Sequence, residues 1–367
     1  MEVQRSSPLL DTLRKLGASE GVFAGVRVAM DFGNPLEEHV YTRKFCTVFD
    51  LSHMGRILVT GTSALEFLDK VIPKDLAKAK RGFMFGPTAL LNDKAGFVDD
   101  VMLYYMDRDS WLIVCNAVNV SKVLDWLHSC ATRLGFNDVS IENLTERLAM
   151  IAVQGPKSVE LLSKVLGLDL APLARMQFLQ NVSIAGYKLY ILSRSGWTGE
   201  DGFELIGEPE HLSKIFEELV KLGAKPAGLI ARDSLRIEMG FCLYGNEIDE
   251  DTTPIEARYW VFDAGKKSDY IGKQALMEKL RRGAEKVRLG IRMKKSVRLV
   301  PRKGYRVYVM DREVGYVTSG TYSPILNRCI AQAYINSSHA LPGLEVNVEI
   351  RGKLYPGKLV DFPFIKL

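Results

Sequence analysis

The stretch TALLNDKAGFVDDVMLYYM, residues 88–106, carries the clearest structural signal in this chain. It predicts two β-strands joined by a turn, because residues 92–96 (NDKAG) are turn formers and glycine accepts positive φ without steric cost. A third apolar run, WLIVC at 111–115, follows a second polar turn. The strand with two acids is therefore predicted to be the middle strand of a meander, with a neighbour on each side.

Two adjacent acids interrupt this middle strand. Side chains alternate faces along a strand, so Asp99 and Asp100 point to opposite sides of the sheet. Asp100 then shares its side with Val98 and Met102. A carboxylate in such apolar surroundings pays a desolvation cost unless a partner or a function uses it. The alternative is an edge strand with a solvated acid, and spacing alone does not separate the two.

Length and composition indicate an ordinary globular protein. A chain of 367 residues predicts two or three domains. The chain has no apolar run long enough to cross a bilayer, and its first residues lack the apolar centre of a signal peptide. The five cysteines are scattered and form no CxxC pair. We therefore predict buried thiols, a cytoplasmic location and no membrane partner.

Charged and metal-binding residues exclude two classes of function. The five histidines show no metal-ligand spacing, so no metal site is predicted. The net charge of +5 permits acidic partners. There is no block of lysine and arginine with interleaved aromatic residues, so no nucleic-acid partner is predicted.

An internal repeat covers much of the first 220 residues. The segment ILVTGTSALEFLDKVI (57–72) matches IAVQGPKSVELLSKVL (151–166), and NVSKVLDWL (119–127) matches HLSKIFEEL (211–219) at nearly the same offset. These matches predict a duplicated α+β unit, spanning 57–127 and 151–219. Each copy would contain a strand, a glycine turn, a helix, several strands and a second helix. Ligands often bind where such halves meet.

The second copy contains an unusual glycine-rich loop. The segment SGWTGEDGFEL at 195–205 has neither the Walker pattern nor GxGxxG, and its glycines predict a tight loop. Glu204 lies in the strand that follows, much as Asp100 lies in the first copy. A solvent-facing glutamate on an antiparallel strand is the alternative interpretation.

A helix with paired charges follows the second copy. Residues 225–239 predict a helix on which Arg232 and Arg236 share a face and Asp233 can pair with Arg236. Surface ion pairing explains all three residues equally well from spacing alone. An acidic loop at 243–260 then ends on Trp260.

A change of pattern marks a domain boundary near residues 279–286. From 287 to 367 the chain consists of short alternating strands with turn residues between them, which predicts a small β-barrel or sandwich. Residues 315–324 (GYVTSGTYSP) are predicted to be its most unusual loop. The predicted domains are therefore 1–280 and 287–367.

Six motifs, in order along nearly the whole chain, resemble the aminomethyltransferase, or T-protein, family of the glycine cleavage system. They are FDLSHMG (49–55), LNDKAGFVDD (91–100), QGP (154–156), SGWTGEDGFEL (195–205), PAGLIARDSLRIEMGFCLYGNEID (226–249) and VTSGTYSPIL (317–326). The resemblance implies an α+β fold of three domains. Two α+β domains would share the duplicated unit and form the folate-binding region, and a C-terminal β-barrel would follow.

The resemblance also implies a reaction. The family transfers a one-carbon unit from aminomethyl-lipoyl H-protein to tetrahydrofolate, releases ammonia, and yields 5,10-methylenetetrahydrofolate and dihydrolipoyl H-protein. P-protein and L-protein would be functional partners. Because the folate supplies the nucleophilic nitrogens, this reaction requires no covalent residue and no metal. It requires an acid that holds the pterin, a second acid near the reacting nitrogens, and dry surroundings.

The family motifs assign roles to specific residues. Asp100 matches the second aspartate of the family's G-x-x-x-D-D motif, which implies a catalytic position near the reacting nitrogens that stabilises a cationic iminium-like species. Glu204 matches the glutamate that binds the pterin, since a carboxylate can accept two hydrogen bonds from its amino-pyrimidine edge. Arg232 matches an arginine that contacts folate.

Four further residues match positions that line the family's pocket. Met54 and Asn116 are two of them. Trp197 stands where the family usually has tyrosine, and either ring can stack on a pterin or an aminobenzoyl group. Trp260 matches the tryptophan that ends the T-P-x-E-A segment, and a core role explains it equally well.

Alternatives remain open at this point. Val26 and Pro87 stand where the family usually has tryptophan and tyrosine, so a related reduced pterin could replace tetrahydrofolate. The same fold could also serve a folate-dependent demethylase of a small N- or S-methyl compound. A non-catalytic folate-binding regulator is the third hypothesis, although pterin binding alone would not require Asp100.

Overall fold

The structure, a computed structural model, describes residues 3–264 and 267–367. The chain divides into two compact units. The first unit comprises Met1–Leu90, Val98–Gly196 and Glu200–Arg232, and the second comprises Leu91–Phe97, Trp197–Gly199 and Asp233–Leu367. The second unit thus begins well before residue 287, and the domain boundary near 279–286 stays a prediction.

Helices and strands follow each other along the chain, with a longer segment outside them at 240–253. Those from Arg5 to Met239 are, in chain order, β1 (Arg5–Ser6), α1 (Leu10–Lys15), β2 (Ser19–Phe23), β3 (Val26–Asp31), α2 (Pro35–Lys44), β4 (Thr47–Asp50), β5 (Gly55–Thr60), α3 (Ala64–Val71), β6 (Met84–Leu91), β7 (Phe97–Asp107), β8 (Ser110–Cys115), α4 (Val120–Leu134), β9 (Ser140–Asn143), β10 (Ala149–Gln154), α5 (Ser158–Leu166), β11 (Phe178–Ile184), β12 (Tyr187–Ser193), β13 (Gly202–Gly207), α6 (Pro209–Lys221), β14 (Lys225–Ala227) and α7 (Leu229–Met239). Those from Pro254 onward are α8 (Pro254–Ala257), α9 (Lys273–Arg282), β15 (Lys286–Met293), β16 (Arg306–Val309), β17 (Arg312–Ser323), β18 (Arg328–Asn336), β19 (Glu345–Ile350) and β20 (Lys353–Val360).

The strand with two acids, β7, lies inside a sheet. The sheet order is β6-β7-β8-β5-β9, so β7 has hydrogen-bonded neighbours on both sides, as predicted. Asp100 is only 9% exposed. The edge-strand alternative with a solvated acid is therefore wrong.

The predicted duplication appears as a shared strand order. The second sheet has the order β11-β12-β13-β10-β4-β14, and its first four strands repeat the order β6-β7-β8-β5 of the first sheet. In each case the strand that opens the copy is followed by a helix, three strands and a second helix. This arrangement confirms the predicted α+β fold with two duplicated units.

Two equivalent glycines turn the chain from strand to helix in the two copies. Gly61 and Gly155 have φ of +132° and +128°, a region that L side chains rarely adopt. A Cβ at Gly61 would lie 2.2 Å from the carbonyl oxygen of Asp138, and one at Gly155 would lie 2.5 Å from that of Phe45. Both copies therefore need glycine here for the same steric reason, which explains the repeated Gly in the sequence.

The turn at residues 51–54 carries the chain between the two sheets. β4 precedes this turn and β5 follows it. β4 pairs with β10 and β14 of the second sheet, whereas β5 pairs with β8 and β9 of the first sheet. Met54 therefore lies at the crossing between the sheets.

The C-terminal strands form a closed barrel. Within residues 267–367, six strands close in the order β15-β18-β17-β16-β19-β20, which confirms the predicted β-barrel. The loop predicted at residues 315–324 is wrong, because β17 runs through most of that segment. A register shift between Val317 and Ser319 marks a β-bulge. The bulge absorbs one extra residue without ending the strand, so the glycine-rich segment stays in the ladder.

A buried ion pair in the second unit overturns part of the surface-charge interpretation. The side chain of Arg236 is 3% exposed, and its Nη1 lies 2.7 Å from Oε2 of the fully buried Glu247. Its Nη2 donates to Ser319 Oγ at 2.8 Å, and Thr318 Oγ1 donates to Glu247 Oε1 at 2.7 Å. The predicted pair with Asp233 is confirmed at 2.8 Å. The surface interpretation is therefore wrong for Arg236.

Two general predictions concern cysteines and membranes. Each of the five cysteines is buried, as predicted. Of the helices in residues 3–264 and 267–367, none has the length and apolar composition needed to cross a bilayer.

Replacing one member of the buried pair should strongly destabilise the protein. Arg236→Met leaves the carboxylate of Glu247 buried without its cation, which should lower the free energy of unfolding by about 3–5 kcal/mol. The double variant Arg236→Met/Glu247→Leu should recover most of this loss. Chemical denaturation measures both.

The matched control is Arg306→Ala, which removes an exposed pair with Glu313. Exposed pairs contribute about 0–1 kcal/mol, so this variant should unfold nearly like the wild type. Equal losses in Arg236→Met and Arg306→Ala would contradict the structural role given to the buried pair.

Candidate functional site

One amide connects the two adjacent acids of β7. Asn116 follows directly after β8, and its Nδ2 donates to Asp100 Oδ1 at 2.7 Å and to Asp99 Oδ1 at 2.8 Å. The neighbouring strand β8 thereby places a donor over the point where both carboxyl groups leave β7. Asp100 and Asn116, both predicted site residues, are in direct contact.

Asp99 is the more deeply buried of the two acids. It is fully buried and accepts further hydrogen bonds from Asn116 N at 2.9 Å and Asn119 Nδ2 at 2.7 Å. Burial and the charge of Asp100 raise the pKa of Asp99 to about 8, although the amides of Asn119 and Asn116 act in the opposite direction. The sequence predicted the opposite faces of the two acids but not this shared amide.

The face of β7 that carries Asp100 meets the second sheet. Tyr104 is four residues further along the strand and therefore on the same face as Asp100. Its hydroxyl lies 3.4 Å from Ser193 Oγ of β12, and its ring meets Phe178 of β11 edge-on at 5.3 Å. The Asp100 face of the first sheet thus packs toward the second sheet inside the first unit.

Glu204 lies on the matching face of the second sheet. It sits on β13 directly opposite Ser193 of β12, while Phe203 and Leu205 on the other face belong to the helix-covered core. Among the described residues, the carboxylate accepts one hydrogen bond, from Ser195 Oγ to Oε2 at 2.6 Å. Burial raises the pKa of Glu204, whereas Ser195 and the charge of Arg232 lower it. The solvent-facing alternative is wrong, because Glu204 is partly buried on a central strand.

Arg232 adds positive charge to this region. It lies half-buried in the first turns of α7, and its charge acts on both Glu204 and His53. His53 is fully buried, and its ring nitrogens have no hydrogen-bond partner among the described residues. Burial, followed by the charges of Arg232 and Arg56, holds the pKa of His53 well below its usual value. His53 is therefore neutral at pH 7.

Met54 is held in place by a buried arginine. Arg56 of β5 donates from Nη1 to the carbonyl oxygen of Met54 at 2.5 Å and from Nη2 to those of Ser52 at 3.2 Å and Leu148 at 2.7 Å. Arg56 is fully buried. These bonds fix the turn between the two sheets and thereby the position of the half-buried Met54.

The two predicted tryptophans belong to the second unit. Trp197 is half-buried and packs on Phe241 with ring centroids 4.7 Å apart. Trp260 is 64% exposed and contacts Phe262 at 5.8 Å. The core alternative for Trp260 is therefore wrong, and the binding roles of both residues stay predictions.

Several residues that contact Asp99 or Glu204 carry no obvious sequence signal. Ser193 and Ser195 are common residue types, and Asn119 lies within a predicted helix start. Tyr104 could have been found, because a four-residue spacing on a strand places it on the Asp100 face. No three metal-binding side chains come together in the part of the chain that the structure describes.

Profiles of known families match nearly the whole chain. Residues 9–266 match the GCVT N-terminal domain, and residues 286–366 match the glycine cleavage T-protein C-terminal barrel domain. The first match includes the two duplicated sheets, and the second match covers the strands of the C-terminal barrel.

Individual relatives agree with these profiles. A probable aminomethyltransferase of Aeropyrum pernix is 46% identical, with 98% of this chain and 97% of that protein covered. An aminomethyltransferase of Thermus thermophilus is 40% identical, with 99% of each chain covered. Among solved structures, the glycine cleavage system aminomethyltransferase T of Bartonella henselae superimposes with a TM-score of 0.89 at 33% identity, covering 98% of each chain.

The raised pKa of Asp99 predicts a specific dependence of stability on pH. Because the folded state binds this proton more tightly than the unfolded state, the free energy of unfolding should fall as pH rises from about 4 to 8, by at most about 1.4 kcal/mol per pH unit. Asp99→Asn mimics the neutral acid and should remove this loss. Denaturant titrations of both proteins at several pH values measure the difference.

The exposed residue Asp125 of α4 supplies the control. Asp125→Asn should follow the wild-type curve across the same pH range. If the Asp99→Asn curve also ran parallel to the wild type, the burial of a titrating acid at this position would be refuted.

Proposed function

We propose that this chain, which belongs to the glycine cleavage T-protein family of aminomethyltransferases, moves a one-carbon unit from the lipoyl arm of H-protein to tetrahydrofolate. The donor would be the aminomethyl group bound to a lipoyl sulfur. The products would be 5,10-methylenetetrahydrofolate, ammonia and dihydrolipoyl H-protein.

The proposed reaction is balanced without a redox step. Two carbon–nitrogen bonds form to N5 and N10 of the folate, while the carbon–sulfur bond and the bond to the amino group break. The two protons released from the folate nitrogens end on the dihydrolipoyl thiol and on ammonia. The protein therefore has to position the reactants and provide charge, and it needs no covalent intermediate of its own.

The observation that carries this proposal is the placement of Asp100 and Glu204. Both are acids on central strands, and they lie on the sheet faces that meet through Tyr104 and Ser193. Two carboxyl groups in low-dielectric surroundings interact strongly with a cationic or donor-rich reactant. A pterin ring offers donors to one acid while its reacting nitrogens approach the other.

The site residues fit this ligand chemically. Glu204 has a desolvated carboxylate with one protein donor, so the N–H groups of an amino-pyrimidine edge would supply hydrogen bonds that burial otherwise denies it. Asp100 would attract and orient the reacting centre, with its carboxylate held by Asn116. Arg232 would stabilise a negatively charged or carbonyl part of the folate. Met54 and Asn116 of the first unit would line the pocket, and the binding roles of Trp197 and Trp260 remain predictions.

Partners follow from the same reaction. Lipoylated H-protein would deliver the aminomethyl group, and P-protein and L-protein would act before and after this step. The net charge of +5 would favour an acidic carrier, so the rate with H-protein should fall at high salt.

An ammonia-release assay tests the proposal directly. Purified protein is mixed with aminomethyl-loaded H-protein, with and without tetrahydrofolate, and ammonia is measured over time. Rapid release that needs both substrates supports the proposed transfer. Consumption of tetrahydrofolate with a small N- or S-methyl donor in the absence of H-protein would favour the demethylase, and folate binding without any turnover would favour a regulator.

Asp100→Asn should separate catalysis from binding. Removing the negative charge should nearly abolish ammonia release, while the affinity for tetrahydrofolate stays within about three-fold, because Asn keeps the shape and one acceptor. Single-turnover kinetics and equilibrium titration measure the two quantities. If binding were lost instead of turnover, Asp100 would have a positioning role only.

Glu204→Ala should act on binding. Losing a charged acceptor for two ligand donors should weaken tetrahydrofolate binding by about 10- to 100-fold or more. Isothermal titration calorimetry of the free enzyme gives the dissociation constant. An exposed glutamate of the same sheet region, Glu208→Ala, is the control. Unchanged affinity in Glu204→Ala would remove this residue from the proposed site.

A further inference from the structure

We propose that Ser195 is a positioning residue of the pterin site, whose hydroxyl fixes the orientation of the Glu204 carboxylate through a hydroxyl chain that begins at Tyr104. This inference rests on the proposed function, because it assigns a role to the residues behind the acid that would hold the pterin. Ser195 would touch the acid and not the ligand.

The chain consists of three hydroxyl groups in sequence. Tyr104 OH lies 3.4 Å from Ser193 Oγ, Ser193 Oγ lies 2.9 Å from Ser195 Oγ, and Ser195 Oγ lies 2.6 Å from Glu204 Oε2. Tyr104 and Ser193 are fully buried, so water does not compete for these groups. The chain joins the strand of Asp100 to the carboxylate on the other sheet.

The direction of donation along this chain follows from its last member. An ionised carboxylate can only accept hydrogen bonds, so the hydroxyl of Ser195 must donate to Glu204. The oxygen of Ser195 is then available to accept from Ser193, and Ser193 can accept from Tyr104. The hydroxyl of Ser193 also lies 3.2 Å from the carbonyl oxygen of Glu204, so its one hydrogen is shared between Ser195 and the backbone beside the acid.

The backbone around Ser195 is held independently of its side chain. Gln154, which is 1% exposed, donates from Nε2 to the carbonyl oxygen of Ser195 at 2.9 Å. A Cβ at the next residue, Gly196, would lie 1.9 Å from Oε1 of Gln154, so the chain passes close to this side chain. Because the backbone has its own anchor, removing the Ser195 hydroxyl should leave the loop in place.

The consequence for ligand binding is a carboxylate with one occupied and one open oxygen. Ser195 occupies Oε2, and no described residue donates to Oε1. A bidentate donor edge needs the plane of the carboxylate to be fixed before the ligand arrives, since ordering it later costs conformational entropy. Ser195 therefore contributes preorganisation, and it also favours the ionised form of Glu204.

The experiment compares Ser195→Ala, Ser195→Thr and the exposed control Ser183→Ala in the full-length protein. Equilibrium titration with tetrahydrofolate, from pH 5 to 8, gives the affinity and its pH dependence. Ser195→Ala should bind about ten-fold more weakly at pH 7, because a hydrogen bond to a charged group is lost. Ser195→Thr keeps the hydroxyl and should stay within about three-fold, and Ser183→Ala should match the wild type.

The pH profile separates positioning from a merely structural role. The hydrogen bond from Ser195 lowers the pKa of Glu204, so its loss lets that pKa rise. Binding that requires the ionised acid is lost as the pH falls through this pKa. In Ser195→Ala this loss should therefore begin at a pH about one unit higher than in the wild type. The other charged or titratable groups acting here, Tyr104 from β7 and Arg232 from α7, are unchanged in this variant.

Parallel measurements on Glu204→Ala distinguish the two possible failures. If Glu204→Ala weakens binding while Ser195→Ala matches Ser183→Ala in affinity and pH profile, the role of Ser195 is overturned and the proposed function stands. If Glu204→Ala binds normally, the assignment of the pterin site is overturned together with this inference.

A second variant keeps the test decisive if Ser195→Ala loses its cooperative unfolding transition. Tyr104→Phe removes the first hydroxyl of the chain and keeps the ring that packs on Phe178. It should weaken tetrahydrofolate binding by about two-fold and shift the acidic limb in the same direction as Ser195→Ala. A Tyr104→Phe protein with wild-type affinity and pH profile would overturn the proposed chain.

Discussion

A carboxyl group inside a β-sheet has to find hydrogen-bond donors, and this requirement organises the centre of the first unit. Asp99 meets it with three amide donors from the segment after β8. Those bonds hold Asn116 against β7, and the same amide then reaches Asp100. Asp99, which has no proposed catalytic role, thus holds the amide of Asn116, and this amide orients Asp100, which has one. The burial of Asp99 requires these donors, and the same donors restrict the orientation of the neighbouring Asp100.

The duplicated topology explains why two acids from distant parts of the sequence share one region. The two sheets repeat the same order of four strands, and β4 and β5 cross from one to the other within a short turn. Facing sheets then bring Asp100 of one copy and Glu204 of the other onto surfaces that meet. Asp100 accepts a hydrogen bond from Asn116, which follows the neighbouring strand β8, and Glu204 accepts one from Ser195, which lies in the loop before β13. The different surroundings suit different tasks, namely reaction at one acid and recognition at the other.

Local patterns in the sequence were sufficient for much of the architecture. Alternation and turn residues identified the meander around β7, and the recurring Ile-x-Val-x-Gly identified the duplicated strand and helix together with the glycine that both turns need. Patterns failed where one residue was ambiguous between two environments. The segment at 315–324 looks like a loop because of its glycines, but a β-bulge keeps it in the barrel. A core role and a binding role were both open for Trp260, whose side chain is exposed, and Arg236 was interpreted as a surface residue and is buried.

The amino-acid sequence was enough to predict the meander around β7, the repeat and the barrel, because alternation, turn residues and a recurring motif are written along the chain. Asp100 and Glu204 were selected by their strand context together with the family resemblance, and their roles remain proposals. The sharing of Asn116 between Asp99 and Asp100, and the hydroxyl chain from Tyr104 to Glu204, became visible only in the folded molecule. The partners of these side chains have no regular spacing in the sequence: Asn116 is 16 and 17 residues from the two acids, and Tyr104 is 89 residues from Ser193. Whether such atoms lie within hydrogen-bond distance, as at 3.4 Å between Tyr104 and Ser193, is set by the packing of the two sheets, and no local pattern records it.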